Sequence, residues 1–335
     1  MLADRLSLAL TSGDLTLPDT GPVVVFAPRA QDDLSALPQD RVLVVTGFKP
    51  DHDAFAARGL TCVQQAQNGA AAALVCVPRA KVLGRALIAQ ACAVVGDGGL
   101  VIVDGQKTDG IESLLRDLRG AGLAPAVLSK AHGKILWFAA RPMPADWTPP
   151  ARLQVPGGFV TAPGVFSADG IDPASQLLGD TLPEALGAHV ADLGAGWGYL
   201  ASRILRRDTV KSLDLVEADA AALACAQDNV TDPRARFHWA DVTTWRPAGR
   251  LDAVVMNPPF HTARAADPDI GRAFIAAAAA MLAPQGRLWM VANRHLPYEA
   301  SLTQHFADVA ELAGDNRFKI LTAARPITAK PRSRR

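Results

Sequence analysis

Cysteine is scarce in this chain, with four in 335 residues. Cys62, Cys76, Cys92 and Cys225 are far apart, form no CxxC pair and have no neighbouring histidines. This pattern excludes a disulfide-rich scaffold, and no metal site is predicted from it. We expect small buried thiols in a reducing compartment.

An excess of charge of either sign is also missing. The chain has 34 basic and 33 acidic side chains, and its first 150 residues hold 14 of each, which leaves 20 and 19 behind (34 − 14 and 33 − 14). No overall field therefore attracts nucleic acid, which must be held by a local patch or with the help of a larger assembly. The hydrophobic fraction of 49% excludes a disordered chain.

Long hydrophobic runs are absent as well. The first ten residues are interrupted by Asp4 and Arg5 and show no cleavage-site pattern, so they do not predict a signal peptide. The longest mildly apolar run, 274–283, predicts an alanine-rich helix that is too short to cross a bilayer. We expect a soluble cytoplasmic protein.

What the chain does have is a regular alternation of short apolar runs with helix-length segments. The runs cover residues 23–26, 42–45, 72–77 and 100–103, then 190–193, 213–216, 253–256 and 288–291. This alternation predicts an α/β fold with parallel sheets covered on both faces. Clustered prolines and glycines predict a linker over 146–160 between domains at 1–145 and 161–329, followed by a basic tail at 330–335.

Several segments of the front half return in the same order in the back half. Gly84-Arg85-Ala86 returns as Gly271-Arg272-Ala273, and Lys134-Ile135-Leu136 returns as Lys319-Ile320-Leu321. Gly99, ahead of its strand, returns as Gly286. Repeated segments in a fixed order predict a duplicated domain.

The two copies differ where a ligand is expected. The back half has three glycines in the turn at 192–198, and we take the front-half counterpart to be the segment 44–50, which has one glycine and a proline. The back half has the turn 257–260 where the front half has 77–80. We therefore expect the chemistry in the back half and a degenerate front half.

The glycine-rich turn reads Asp192-Leu193-Gly194-Ala195-Gly196-Trp197-Gly198 and lies between a β-run and a helical stretch at 199–206. Glycines let the backbone approach a ligand, and the helix N-terminus offers free N–H groups. A dinucleotide fingerprint needs glycine or alanine at position 199, where this chain has Tyr199. Asp192 would repel a diphosphate and can accept a hydrogen bond from a cationic amino-acid head group.

Two further acids follow the next two β-runs. Glu217 lies 19 residues beyond Gly198, where an acid can take both ribose hydroxyls of an adenosine, and Asp241 lies where the adenine amino group would be. In combination these residues resemble the S-adenosylmethionine site of class I methyltransferases. The predicted cofactor-binding residues are Asp192, Gly194, Ala195, Gly196, Gly198, Glu217, Ala240 and Asp241.

The turn Asn257-Pro258-Pro259-Phe260 follows a strand at the edge of the sheet where α/β proteins bind ligands. Because proline has no N–H, the Asn257 side-chain oxygen and the Pro258 carbonyl can both face one NH₂ donor. Two acceptors orient a planar amine as it attacks a methyl group, and Phe260 can stack on a flipped base. The tetrad predicts methylation of adenine N6, guanine N2 or a glutamine amide, without a separate general base.

Further segments narrow the substrate. The segment 163–178 together with 257–261, 291–293, 296–298 and 317–320 is similar to the ribosomal RNA guanine-N2 methyltransferases, and most of all to the small-subunit (16S) enzymes. The similarity covers nearly all of residues 160–325. It implies two tandem Rossmann-like class I methyltransferase domains, of which the N-terminal one is degenerate.

The resemblance also implies an activity and a partner. The expected reaction is transfer of a methyl group from S-adenosylmethionine to the N2 of a guanine in 16S ribosomal RNA. The expected partner is that RNA within a small ribosomal subunit or an assembly intermediate, and the protein is expected to be a monomer. The residues predicted to contact the substrate are Phe166, Ser167, Gln176, His261, Arg264 and Arg294, the two arginines through a phosphate.

Four other functions remain open. A 23S guanine-N2 methyltransferase fits the same residues. Adenine-N6 and protein-glutamine methyltransferases share the tetrad, but the duplication and the 164–178 segment argue against them. A non-catalytic ribosome assembly or binding factor could keep the fold, although the intact glycine turn and the intact tetrad argue against this.

Overall fold

The computed structural model describes residues 2–259 and 268–327. The chain divides into two compact units, Met1–Ala151 and Arg152–Arg335. The division falls inside the predicted linker at 146–160, and residues from 152 onward group with the second unit.

The first unit is an α/β domain. Its strands are β1 (Val23–Phe26), β2 (Val42–Val45), β3 (Thr61–Val63), β4 (Ala72–Cys76), β5 (Leu100–Gln106), β6 (Ala126–Lys130) and β7 (Gly133–Ala139). Its helices are α1 (Leu2–Thr11), α2 (Lys49–Ala57), α3 (Lys81–Val95) and α4 (Ile111–Gly120), with 3₁₀ turns at Gln39–Arg41, Lys107–Asp109 and Ala145–Trp147. The strand order is β3-β2-β1-β4-β5-β7-β6.

The second unit begins with a hairpin of β8 (Leu153–Val155) and β9 (Phe159–Thr161). Its main strands are β10 (His189–Leu193), β11 (Ser212–Glu217), β12 (Ala235–Trp239), β13 (Leu251–Met256), β14 (Leu282–Asn293), β15 (Phe306–Gly314) and β16 (Phe318–Pro326). Its helices are α5 (Pro173–Thr181), α6 (Tyr199–Ile204), α7 (Ala220–Asn229), α8 (Pro268–Met281) and α9 (Tyr298–His305). The strand order is β12-β11-β10-β13-β14-β16-β15.

Apolar strands run through the centre of both sheets because both of their faces are covered. In β1, Val24 and Phe26 pack into one apolar cluster, whereas Val23 and Val25 pack into another. In β10, Val190 and Leu193 likewise belong to different clusters. Strands buried on both faces have continuous apolar sequences, which is why these runs are visible in the sequence.

The two sheets have the same topology, strand for strand. The repeated Gly-Arg-Ala segments lie on α3 and α8, the helices after the fourth strand of each sheet. The repeated Lys-Ile-Leu segments lie on β7 and β16, which occupy the same place in the two orders. The predicted α/β fold with a duplicated domain is confirmed.

Two predictions were wrong, one about the direction of the strands and one about the front-half counterpart of the glycine turn. The sheets are mixed rather than wholly parallel, because β7 and β16 run antiparallel to their neighbours. The segment 44–50 is also not the counterpart of the glycine turn, since β2 corresponds to β11 and β1 corresponds to β10. The counterpart is the turn after β1, Ala27-Pro28-Arg29, which has no glycine at all.

The predicted alanine-rich helix is α8, which ends at Met281 and is followed directly by β14. Across residues 2–259 and 268–327, no helix combines the length and the apolar character needed to cross a membrane. Cys76, Cys92 and Cys225 are buried as expected, whereas Cys62 is partly exposed.

Candidate active site

The glycine turn joins β10 to α6 and depends on its glycines for its shape. Gly194, Gly196 and Gly198 have φ values of 75°, 54° and 91°, a region that residues with a Cβ rarely adopt. The backbone N–H groups of Gly194 and Ala195 both donate to the Val216 carbonyl, at 2.9 and 3.1 Å. These bonds fasten the turn to the end of β11.

Trp197 is the one large residue inside this turn, and its ring is buried in the core of the second unit. The ring centroid lies 5.3 Å from that of Phe159 and 6.0 Å from that of Tyr199. Its indole N–H donates to the Phe166 carbonyl at 3.1 Å. Trp197 therefore anchors the turn to the segment that precedes α5.

Asn229 fixes the same region from the end of α7. Its amide nitrogen donates to the carbonyls of Val160 and Trp197, both at 2.7 Å, and its oxygen accepts from the Val160 N–H at 2.8 Å. Sequence reasoning missed this residue because it belongs to no motif and its partners are distant along the chain.

Two acids lie beneath and beside the turn. Asp192 is fully buried, and neither of its carboxylate oxygens has a hydrogen-bond partner among the described residues. Burial, followed by the nearby Glu217 carboxylate, raises the pKa of Asp192 to about 8. A buried carboxyl group without a partner is costly, so this site fits the cationic head group of S-adenosylmethionine.

Glu217 ends β11 and binds the turn directly. Its Oε2 accepts from the Gly196 N–H at 2.7 Å, and its Oε1 accepts from the Asp219 N–H at 2.8 Å. Burial raises the pKa of Glu217 despite these bonds. A carboxylate oxygen accepts more than one hydrogen bond, so these two bonds do not use up its capacity, and the ribose contact stays a prediction.

Asp241 follows β12 at the same edge of the sheet. The Ala240 N–H donates to the Glu217 carbonyl at 3.0 Å, which holds this turn next to β11. The Asp241 Oδ1 accepts from the N–H and the hydroxyl of Thr243, both at 2.8 Å. Its contact with the adenine stays a prediction.

Asn257 directly follows β13. Its Nδ2 donates to Asp172 Oδ2 at 3.0 Å and to Ser175 Oγ at 2.9 Å. Its Oδ1 is buried and has no hydrogen-bond partner in the part of the chain that the structure describes. Asp172 also caps α5, accepting from the Ser175 N–H at 2.8 Å. Sequence reasoning did not single out Asp172 or Ser175.

One cavity connects Asn257 with the glycine turn. The residues that line it are Phe166, Ser167, Asp172, Ser175, Gly194, Ala195, Gly196, Trp197, Tyr199, Leu200 and Asn257. Phe166 is 59% exposed at its rim, and Ser167 has a φ of 51° with its hydroxyl donating to the Gly170 carbonyl at 2.8 Å. The cofactor turn and the acceptor side chain thus open into a common space.

The other predicted site residues have different positions. Gln176 is exposed on α5 and does not line this cavity, and Pro258 is buried while Pro259 is exposed. The Arg294 guanidinium binds Glu311 at 2.9 Å and the Asp315 carbonyl at 2.5 Å, so its phosphate contact stays a prediction. Phe260, His261, Arg264 and the basic tail lie outside the described residues.

A larger cavity, of about 160 Å³, lies in the first unit. Four of its charged side chains form two pairs: Arg5 binds Asp104 at 2.6 and 2.8 Å, and Arg29 lies 3.5 Å from Asp109. Asp32 and Asp33 also line it and accept hydrogen bonds from the backbone N–H groups of Arg29 and Ser35, both at 2.8 Å. It contains neither a glycine turn nor an Asn-Pro-Pro segment. Size alone therefore does not make it the reactive site.

Comparison with known proteins agrees with this geometry. The methyltransferase small domain model matches residues 157–322. The ribosomal RNA small subunit methyltransferase C of Shewanella halifaxensis is 33% identical over 258 residues, covering 74% of this chain and 75% of the relative. That of Shewanella oneidensis is 30% identical over 265 residues, covering 76% and 77%.

A solved structure shares the fold of nearly the whole chain. It is the T. thermophilus 16S rRNA N2 G1207 methyltransferase in complex with AdoMet and guanosine. The TM-score is 0.80 at 24% identity, with 97% of this chain and 91% of that chain covered. At this identity the similarity establishes the architecture of the chain.

Proposed function

Because the chain belongs to the ribosomal RNA small subunit methyltransferase C family, we propose that it methylates the exocyclic N2 of a guanine in 16S ribosomal RNA, using S-adenosylmethionine. The observation that carries this proposal is Asn257, which lines the same cavity as the glycine turn and whose buried Oδ1 has no hydrogen-bond partner among the described residues. Such an acceptor does not suit a carboxylate, which has no hydrogen to donate, and an NH₂ group suits the site better than a hydroxyl because its two hydrogens can meet both the Asn257 Oδ1 and the Pro258 carbonyl.

Different groups of this site bind the cofactor and the amine. Asp192, Glu217 and the backbone of the glycine turn would hold the cofactor, which would supply a methyl group carried on a positively charged sulfur. Asn257 Oδ1 and the Pro258 carbonyl accept the two N–H groups of the amine and hold the nitrogen for attack. The nitrogen loses a proton after transfer, so no side chain has to act as a base before the reaction.

The choice of guanine in the small subunit rests on the family and on the 163–178 segment. The relatives are named for the small ribosomal subunit, and the neighbour of shared fold was solved with guanosine. We propose that the partner is the RNA of a small subunit or of an assembly intermediate. We also propose that the protein binds it in the cytoplasm as a monomer. A net charge of +1 is consistent with a substrate presented by a structured particle rather than captured by a basic surface.

The test uses radiolabelled S-adenosylmethionine with the purified protein and small subunits, large subunits or free ribosomal RNA lacking the modification, followed by mass spectrometry of the nucleosides. We expect N2-methylguanosine in 16S RNA. The Asn257→Ala variant should bind the cofactor and transfer no methyl group. The same product in 23S RNA would change the substrate, and methylated adenine would change the base. No label in RNA with intact cofactor binding would favour a binding factor.

A further inference from the structure

We infer that Asp172 and Ser175 are positioning residues that set the orientation of the Asn257 amide, so that its oxygen and not its nitrogen meets the amine to be methylated. This inference rests on the proposed function. It concerns a feature that the tetrad alone does not provide, because the two branches of an asparagine amide have nearly the same shape and opposite hydrogen-bonding character.

The hydrogen bonds leave one orientation. Both N–H groups of the Asn257 amide are used, one by the Asp172 carboxylate at 3.0 Å and one by the Ser175 hydroxyl at 2.9 Å. In the reversed orientation the amide oxygen would lie against the Asp172 carboxylate, which has no hydrogen to donate. The oxygen therefore occupies the other branch, buried and without a described partner.

The Asp172 contact also strengthens the acceptor. A hydrogen bond from an amide N–H to a carboxylate is stronger than one between neutral groups, and linked hydrogen bonds polarise one another. Electron density drawn towards the Asn257 oxygen makes it a better acceptor for the amine. The pair thus orients the Asn257 side chain and makes its oxygen a stronger acceptor.

The start of α5 places both partners. Asp172 is the N-cap residue, Pro173 follows it, and Ser175 is the residue whose N–H the cap accepts. A test must therefore separate the loss of positioning from the loss of a helix cap. Glycine is nearly as good an N-cap as aspartate, so Asp172→Gly removes the acceptor while largely keeping the helix start.

The first set of variants is Asp172→Gly, Ser175→Ala and the two combined. Ser202→Ala is the matched control, since the Ser202 hydroxyl donates to the Tyr199 carbonyl within its own helix. We expect the combined variant to lose roughly ten- to a hundredfold in single-turnover rate at saturating cofactor, the worth of a hydrogen bond to a charged group. Cofactor affinity by calorimetry should stay close to that of the control, whereas the melting temperature should fall because the Asn257 N–H groups lose their acceptors.

Asn257→Asp decides between positioning and a merely structural role. Beside an intact Asp172 it places two carboxyl groups together and should lower the rate. When it is added to the combined Asp172→Gly/Ser175→Ala variant, it should raise the rate above that of the combined variant. The reason is that a carboxylate has an acceptor oxygen on both branches, so its orientation no longer matters. That reversal of sign supports the inference, and a loss in both backgrounds overturns it. An inactive parent protein would count against the proposed function instead.

Discussion

The Glu217 carboxylate accepts a hydrogen bond from the Gly196 backbone N–H at 2.7 Å, so the acid predicted to bind the cofactor ribose also holds the glycine turn in place. Its second oxygen is bonded to the Asp219 N–H at 2.8 Å, at the start of α7. One side chain thereby connects the turn after β10 with the turn after β11. The predicted cofactor site is thus held in place by a residue that is itself predicted to bind the cofactor.

Replacing Glu217 with glutamine should weaken cofactor binding and loosen the turn. An amide has one oxygen, so it can replace only one of the two acceptors and places an NH₂ group against the N–H of Gly196 or Asp219. We expect cofactor affinity to fall about tenfold or more, with a loss of stability of about 1–3 kcal/mol. Calorimetry and urea unfolding measure the two effects. Glu184→Gln, at an exposed glutamate of the same unit, is the control and should change neither.

Two glycines of the turn should respond differently to alanine. At Gly198 a Cβ would lie 3.0 Å from Val230 Cγ2 and 3.3 Å from Ala226, whereas at Gly196 it would meet no atom within 4 Å. Gly196→Ala should therefore cost only the positive φ, about 1–2 kcal/mol, yet weaken cofactor binding because the methyl group adjoins the ligand cavity. Gly198→Ala should lose more stability. Equal losses of stability in urea unfolding would contradict this difference.

The features that could be predicted best from the sequence are those that depend on short-range physical requirements. The apolar runs of β1 and β10 are visible because both faces of each strand are buried, and the glycine turn is visible because its backbone angles exclude most side chains. The edge strands β6 and β15 were missed because their burial patterns are mostly exposed, and such strands carry little hydrophobic signal. The antiparallel strands β7 and β16 are largely buried, and the sequence showed them as repeated segments without showing their direction.

The supporting contacts of the site could not be predicted in this way. Asn257 meets Asp172 across 85 residues, and Asn229 meets Val160 across 69. No local spacing encodes such a pair, because it depends on how the start of α5 lies against the end of β13. The front-half turn was misassigned for a related reason, since two apolar runs of similar length were equally good candidates for the first strand.

Asp192 should make stability and cofactor binding depend on pH. Its folded pKa of about 8 lies above the ordinary value of 3.8, so between those values the folded state binds more protons than the unfolded state. Stability of the free protein should therefore fall as pH rises through this window and level off above it. Urea unfolding across the window measures the slope, and Asp192→Asn should reduce it. Burial raises the pKa of Glu217 in the same direction, which leaves a smaller slope in the variant.

Cofactor binding should lower the raised pKa of Asp192. An ammonium group beside Asp192 favours the ionised carboxylate, so binding below a pH of about 8 should release a proton and affinity should rise with pH. Calorimetry in two buffers of different ionisation enthalpy counts that proton. A proton release of the same size in Asp192→Asn would show that another group is responsible.

In the first unit, removing one partner of the buried Arg5–Asp104 pair should destabilise the fold strongly. Replacing both partners with apolar residues should change the stability little. Arg5 is 1% exposed, and burial raises the pKa of Asp104 even though the Arg5 guanidinium opposes the shift. Arg5→Ala leaves an unpaired buried carboxyl and should cost roughly 3–5 kcal/mol, whereas Arg5→Met combined with Asp104→Leu should be nearly neutral.

Two measurements distinguish the cost of an unpaired buried charge from a simple loss of packing. One is the cost of breaking a surface ion pair, and the other is the pH dependence of the Arg5→Ala penalty. Lys81→Ala breaks an exposed pair with Asp117 at 2.9 Å in the same unit and should cost at most about 1 kcal/mol. The Arg5→Ala penalty should shrink in acid, because a protonated Asp104 no longer buries a charge. If urea unfolding shows the same penalty at acidic and neutral pH, and no recovery in the double variant, lost packing of the Arg5 side chain is the cause instead.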